Sequence, residues 1–366
     1  MNIPSHITLF FALLLYLGGC LQSSSQSVLR DQHGAHSALE ALISERVEES
    51  NFSGVVLVAD ENKIIFEQAF NEAPLGPDFR IDLETQFPIA SITKSFTAIL
   101  VLQLVERGLL DLDKSIADYL PEVSTPYADR VTVRHLLQNR SGIPNYTELS
   151  GWTDPDYKRS LTPRVLLQEL ADLPLKFEPG TDYLYSNANF YLLGLIAETV
   201  TDKPYELVLS ENILAPLELR RTGQISGEQG ASALAKNAML EDDGTYAHIP
   251  LTNPRVFKAT ASITSTARDL FHWQAGLHDE TLLHAEMKTL LFNPDRPMGW
   301  TVGDVPIEPE NVLSIQTYNG DLIGYASMVT RFPEQAGAVI ILNNNNAGYD
   351  MLAGLTLDIT TELYGR

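Results

Sequence analysis

The chain has 366 residues, and its 44% hydrophobic content is enough for a large core, which argues against a disordered or collagen-like protein. It carries 25 Lys+Arg against 47 Asp+Glu, a formal charge of −22, so phosphate backbones and anionic lipid surfaces are repelled and nucleic acid is not an expected partner. Cys20 is the single cysteine, so no intrachain disulfide, thiolate metal cluster or CxxC redox pair is possible.

The chain opens with an uncharged apolar run, Ile7 to Gly19. Thirteen helical residues span about 20 Å, too short for a hydrocarbon core of ~30 Å, and the segment 1–19 reads as a signal peptide. Its n-region lacks Lys or Arg. The run ends Leu17-Gly18-Gly19-Cys20, which resembles a bacterial lipobox and implies cleavage before Cys20 and acylation of its thiol. The alternative is an ordinary signal peptide with an incidental cysteine. Gln22 is not the Asp that often retains such proteins at the inner membrane, so the expected location is the periplasmic face of the outer membrane. Residues 20–36 then form the anchor and a polar tether, and the membrane is met only through that lipid.

The remaining chain, 37–366, reads as one domain. Leu39, Leu42, Ile43 and Val47 have helical spacing. Gly54–Ala59 and Lys63–Phe70 flank the polar Asp60-Glu61-Asn62 and predict a hairpin with a three-residue turn. Ser91 to Arg107 is long, apolar and stopped by Gly108, which predicts a buried helix. Signals are then mostly helical to about Pro254, so a helical subdomain is inserted at about 91–258. Strands are predicted at Val312–Thr317, Tyr325–Phe332 and Ala338–Leu342, with turns at Asn319-Gly320, Pro333-Glu334 and the Asn343–Asn346 run. Tyr349–Tyr364 reads as a closing helix.

The candidate chemistry begins at Ser91-Ile92-Thr93-Lys94. Residues three apart share a helix face, so hydroxyl and amine can lie side by side. If Ser91 opens the helix, its alcohol also sits at the positive dipole end. A serine hydroxyl needs a neighbouring base, and a lysine surrounded by Ile92, Phe96, Ile99 and Leu100 can be neutral enough to serve. With 24 Ser and 9 Lys, chance alone supplies about 0.6 such S-x-x-K matches, so the pattern is weak by itself. The second element is Tyr185-Ser186-Asn187. A phenol near an ammonium ionises more easily and can act as base toward a hydroxyl and then as acid toward a leaving group. The Asn187 amide offers a donor and an acceptor.

Five segments carry a specific resemblance: PIASITKSFTA (Pro88–Ala98), HLLQNRSGIPNY (His135–Tyr146), PGTDYLYSNANFYLLGLIAE (Pro179–Glu198), APLELRRTG (Ala215–Gly223) and ASITSTARDL (Ala261–Leu270). In that order they resemble the serine β-lactamase and penicillin-binding protein family, in its branch of class C β-lactamases, D-Ala-D-Ala carboxypeptidases and β-lactamase-like esterases. The likeness runs from about Phe52 to Leu342. It implies an α/β fold, with an antiparallel sheet flanked by helices and an all-helical domain, and the site between them. It also implies a serine hydrolase without metal or cofactor, acting on a small-molecule, peptide or ester substrate. Ser91 is the implied nucleophile. Lys94 and Tyr185 share the proton transfers, with either one as the base, and Asn187 contacts the substrate. The Ser91 N–H forms half of an oxyanion hole.

One motif departs from the family. Where the family reads Lys-x-Gly or His-x-Gly on an inner strand, this chain has Tyr318-Asn319-Gly320, followed by Asp321. Gly320 is expected to leave room for substrate, and the Asp321 N–H to complete the oxyanion hole. Tyr318 is neutral at pH 7, so the cation that pairs with a substrate carboxylate is missing, and Asp321 repels anions further. A charge-assisted hydrogen bond contributes about 1.5–3 kcal/mol. Its loss counts against efficient β-lactamase or carboxypeptidase activity and favours an ester or uncharged amide substrate. Within the family the expectation is an esterase or D-Ala-D-Ala carboxypeptidase-like hydrolase, with a penicillin-recognising β-lactamase as the alternative. A non-catalytic cell-wall ligand binder or sensor is the reading from another class. His272, His278 and His284 recur every six residues and do not hold one helical face, so no zinc site is expected. His135 and Trp300 read as structural.

Overall fold

Alternation along two apolar strands decides the architecture. The computed structural model describes residues 37–71, 80–121, 123, 125–149, 152, 162–225, 234–240, 245–249, 257–345 and 348–365. The leader, Cys20 and the tether lie outside the described residues. Six strands form one sheet: β1 (Ser53–Asp60), β2 (Lys63–Asn71), β3 (Thr301–Glu308), β4 (Asn311–Leu322), β5 (Tyr325–Phe332) and β6 (Gly337–Asn343), in the order β2-β1-β6-β5-β4-β3. Every neighbouring pair is antiparallel.

Four helices frame the sheet and the site: α1 (residues 37–49), α2 (Thr93–Glu106), α3 (Asn187–Thr201) and α4 (Tyr349–Tyr364). Successive strand residues face opposite ways. Val56 and Val58 of β1 and Val339 and Ile341 of β6 therefore join one core cluster with Leu39, Ile43 and Val47 of α1 and Leu352, Leu355 and Ile359 of α4. Val55, Leu57, Ile340 and Leu342 face the other side and join a second cluster with α2 and α3. Strands buried on both faces read as continuous apolar runs, which is how β1 and β6 appear in the sequence.

Between β2 and β3 the described chain is mainly helical. Every residue of α2 from Thr93 to Leu104 is buried, so this helix is interior rather than amphipathic. It ends in a Schellman motif. Gly108 adopts φ +70°, and the N–H groups of Gly108 and Leu109 donate to Val105 O and Leu104 O, both at 2.9 Å.

Four local expectations need correction. Ser91 does not open the α-helix: it sits on a 3₁₀ turn, Ala90–Ile92, that leads into α2. Ala90 has φ +47°, a left-handed conformation that cannot belong to the helix. The first hairpin turn has two residues, because Asp60 pairs with Lys63, and both Glu61 (φ +46°) and Asn62 (φ +61°) are left-handed, as a type I′ turn requires. Asn319-Gly320 is not a turn. Both lie inside β4, opposite Met328 and Ser327, and the chain reverses at Ile323-Gly324 instead. Gly320 does not leave room for substrate: a Cβ there would lie 2.1 Å from the carbonyl oxygen of Ile89 and 2.6 Å from Ser327 Oγ. The missing side chain lets β4 press directly against the residues that lead into Ser91. Strand β3 was not expected at all. It is an edge strand, at the opposite side of the sheet from β2, and its Gly303, Asp304 and Pro306 are the residue types that blunt a sheet edge.

Gly320→Ala should therefore destabilise the fold by about 1–3 kcal/mol, the usual cost of overpacking. Gly303→Ala, where nothing lies within 4 Å, should leave the unfolding midpoint nearly unchanged. Paired urea titrations of the two variants check this.

Candidate active site

The segment before Ser91 is held from three sides. The Ile89 N–H donates to Ile263 O at 2.9 Å, Ser327 Oγ donates to Ile89 O at 3.0 Å, and Gly320 packs against the same carbonyl. Phe87 and Pro88 pair with Ser265 and Thr264 in a short antiparallel ladder. The Ser91 hydroxyl is thus fixed between the sheet and α2.

Lys94 lies one turn further along, fully buried. Its Nζ is 2.9 Å from Ser91 Oγ and donates to Thr260 O, also at 2.9 Å. It stands 5.1 Å from the centre of the Tyr185 ring. Among the described residues no carboxylate pairs with it. Burial pulls its pKa below the ordinary lysine value, and the Tyr185 phenol opposes that only in part. A neutral Lys94 can keep its donation to Thr260 O and turn its lone pair toward Ser91.

Tyr185 completes the group, with its hydroxyl 2.8 Å from Ser91 Oγ. The loop that carries it is clamped by Asn139. The Leu184 N–H donates to Asn139 O at 2.9 Å, and the Ser186 N–H and Asn189 Nδ2 donate to Asn139 Oδ1 at 3.2 and 2.9 Å. Asn139 can do this because it ends the helix Val133–Leu137 in the left-handed conformation, at φ +53°. There the N–H groups of Asn139 and Arg140 close back on Leu136 O and His135 O. Ser186 caps α3, its Oγ accepting from the Ala188 N–H at 3.2 Å.

Asn187 is the first residue of α3. Its backbone N–H and its Nδ2 both donate to Asn145 Oδ1, at 3.2 and 3.1 Å. Tyr146, next along, is 3.0 Å from Thr260 Oγ1 through its hydroxyl. The 144–146 loop therefore supports both the tyrosine loop and the residue whose carbonyl receives Lys94. Asn139, Asn145 and Thr260 are positioning residues that sequence reasoning missed. The first two stand inside HLLQNRSGIPNY, the segment that carries part of the family resemblance.

These groups border a cleft of about 650 Å³ whose lining includes Ser91, Tyr185, Asn187, Tyr318 and Asp321. Tyr318 is partly buried, and its phenol stands beside that of Tyr185 in the cleft wall. Burial and the neighbouring phenols hold its own pKa well above the usual tyrosine range, so it stays neutral. Ser91 and Tyr185 thus pair through their hydroxyls, with Tyr318 alongside and Lys94 beneath. Asp321 stands exposed at the cleft, and partial desolvation raises its carboxyl pKa. Of the sequence-derived set, Ser91, Lys94 and Tyr185 come together, Asn187, Tyr318 and Asp321 line the same cleft, and Gly320 lies behind it. His135 is structural: its Nδ1 accepts from the Thr132 N–H in a capping box. Trp300 is 3% exposed and stacks on Trp273, yet it also forms part of the cleft wall. Among the described residues no group of three His, Cys, Asp or Glu could hold a metal ion.

The fold and this site define the β-lactamase/transpeptidase-like class. Residues 39–358 match the family model described as Beta-lactamase, and the chain belongs to that family of serine hydrolases. It is 25% identical over 332 residues to penicillin-binding protein 4* of Bacillus subtilis, covering 84% of this chain and 71% of that protein. It is 30% identical over 242 residues to a D-aminopeptidase of Brucella anthropi, covering 65% of this chain and 45% of that one. Among solved structures, the octameric penicillin-binding protein homologue of Pyrococcus abyssi superposes with a TM-score of 0.76 at 23% identity, over 90% of this chain and 77% of that one. A D-amino acid amidase of Ochrobactrum anthropi SV3 gives 0.74 at 22% identity, over 91% of this chain and 98% of that one. These two structures establish the likeness of fold.

The clamp at Asn139 can be separated into its parts. Asn139→Gly keeps the left-handed backbone but loses the Oδ1 acceptor, whereas Asn139→Ala loses both. The alanine variant should be less stable than the glycine variant by about 1 kcal/mol, read from urea unfolding midpoints.

Proposed function

We propose that this protein hydrolyses ester or amide bonds through a covalent acyl intermediate on Ser91. The observation that carries this reading is a serine hydroxyl 2.8 Å from a phenol and 2.9 Å from a buried lysine amine. Lys94 or Tyr185 takes the Ser91 proton as Oγ adds to the substrate carbonyl. The negative charge on the carbonyl oxygen is met by the backbone N–H groups of Ser91 and Asp321. Tyr185, carrying that proton itself or reprotonated by Lys94 after it donates its own, delivers a proton to the departing oxygen or nitrogen. Water then attacks the acyl group along the reverse route, and Ser91 is released.

The substrate lacks a carboxylate at the Tyr318 end of the cleft, because among the described residues no cation lines the cleft to receive one. An esterase or a peptidase-like amide hydrolase fits this better than a β-lactamase does. The named activities of two relatives, a D-aminopeptidase and a D-amino acid amidase, support an amide as well as an ester. The lipobox-like end of the leader supports a protein tethered through Cys20 to the periplasmic face of the outer membrane.

Ser91→Ala should lower kcat/KM toward a p-nitrophenyl ester by 10³-fold or more, as nucleophile deletions do. Intact-mass analysis should find one fluorophosphonate adduct on the wild type and none on the variant. Ester turnover that survives the substitution would refute the nucleophile. A stable penicilloyl adduct without turnover would instead support the penicillin-recognising sensor. Radiolabelled palmitate should enter the wild type and not Cys20→Ala, and equal labelling of both rejects the anchor.

A further inference from the structure

The cleft carries a charge pattern that the hydrolytic reading does not use. Among the described residues fifteen line it, and none of them is Lys, Arg or His. Asp321 is the one lining residue with an ionisable carboxylate. Among the described residues no ion pair or hydrogen bond holds that carboxylate, and it is exposed to the cleft.

Three further features point the same way. The strand position that would carry a cation holds the neutral phenol of Tyr318, with the Tyr185 phenol beside it. Tyr183, 59% exposed, adds an aromatic ring to the lining, and a π-face attracts cations. The chain's formal charge of −22 raises the local concentration of small cations around the molecule. A carboxylate standing without a partner in a partly dry cleft repels anions and is relieved by an ammonium.

We propose that Asp321 is a specificity residue that anchors a cationic group of the substrate, so that the preferred substrates are amine-bearing esters or amides with the ammonium lying along β4. This rests on the hydrolytic reading above and narrows its substrate class. The upward shift of the Asp321 carboxyl is consistent with it: the free enzyme offers the ionised form no stabilising neighbour, and a bound ammonium supplies one.

The test compares substrates that differ only in charge. One series is phenyl acetates with a para aminomethyl, ethyl or carboxymethyl group, which varies the leaving group. The other is p-nitrophenyl 4-aminobutyrate, pentanoate and hemiglutarate, which varies the acyl group. After subtraction of the enzyme-free rate, the wild type should prefer the ammonium member over the carboxylate member in at least one series. The expected ratio of kcat/KM is about fivefold or more, the scale of a partly exposed charge pair that is attractive in one case and repulsive in the other. Asp321→Asn keeps the backbone N–H and the side-chain shape, and should bring that ratio to within about twofold, whatever its absolute rate. A carboxylate member that is hydrolysed as fast as the ammonium member in both series overturns the proposal, as does a ratio unchanged in Asp321→Asn. Turnover of neutral esters with no ammonium preference sinks this proposal alone. Failure to turn over any ester, together with no fluorophosphonate adduct on Ser91, sinks the hydrolytic reading with it.

Discussion

A lysine taken out of water must find acceptors or give up its charge, and the surroundings of Lys94 offer few acceptors. Thr260 supplies a carbonyl, Ser91 a hydroxyl and Tyr185 a phenol, and among the described residues no carboxylate stands by. The site follows from that shortage. Burial lowers the pKa of the amine, so a residue that is ordinarily an inert cation becomes able to take a proton from its neighbour. The three acceptors come from three separate segments of the chain, each with its own support. Asn139 and Asn145 brace the tyrosine loop, Tyr146 braces Thr260, and Gly320 and Ser327 brace the approach to Ser91.

The reactive trio was legible in the sequence, because S-x-x-K and Y-S-N are short, local and embedded in segments that resemble a family. The sheet was legible for the same reason that it is stable: β1 and β6 are apolar on both faces, and their sequence carries that directly. What was not legible lay in contacts without a local pattern. Asn139 and Asn145 act through amide oxygens on segments about forty positions away, and Thr260 acts through its backbone carbonyl, which any residue possesses. Asn319-Gly320 carries the strongest short turn signal in the chain, yet it lies in mid-strand. The glycine answers a close approach of another backbone there, not a reversal of its own. Edge strand β3 was missed because the residues that protect an edge are those that weaken a strand signal.

The exchange of a cation for Tyr318 changes the cleft without dismantling it. The phenol of Tyr318 still stands beside that of Tyr185 and lines the same cleft. What a phenol cannot supply is net charge. The hydroxyl–amine group at Ser91 and the charge of the cleft are therefore separable in this fold: the first is built with Lys94 and Tyr185, the second is set by Tyr318 and Asp321 of β4.

The partners that fix Ser91 are far apart along the chain. Tyr185 lies 94 positions away, Thr260 lies 166 from Lys94, and Ser327 lies 238 from Ile89. A nascent chain halted before Ser327 already holds the alcohol, the amine and the phenol, yet it lacks the strand whose Ser327 hydroxyl bonds the Ile89 carbonyl. The seat of Ser91 is therefore completed late in synthesis, with the docking of the final hairpin.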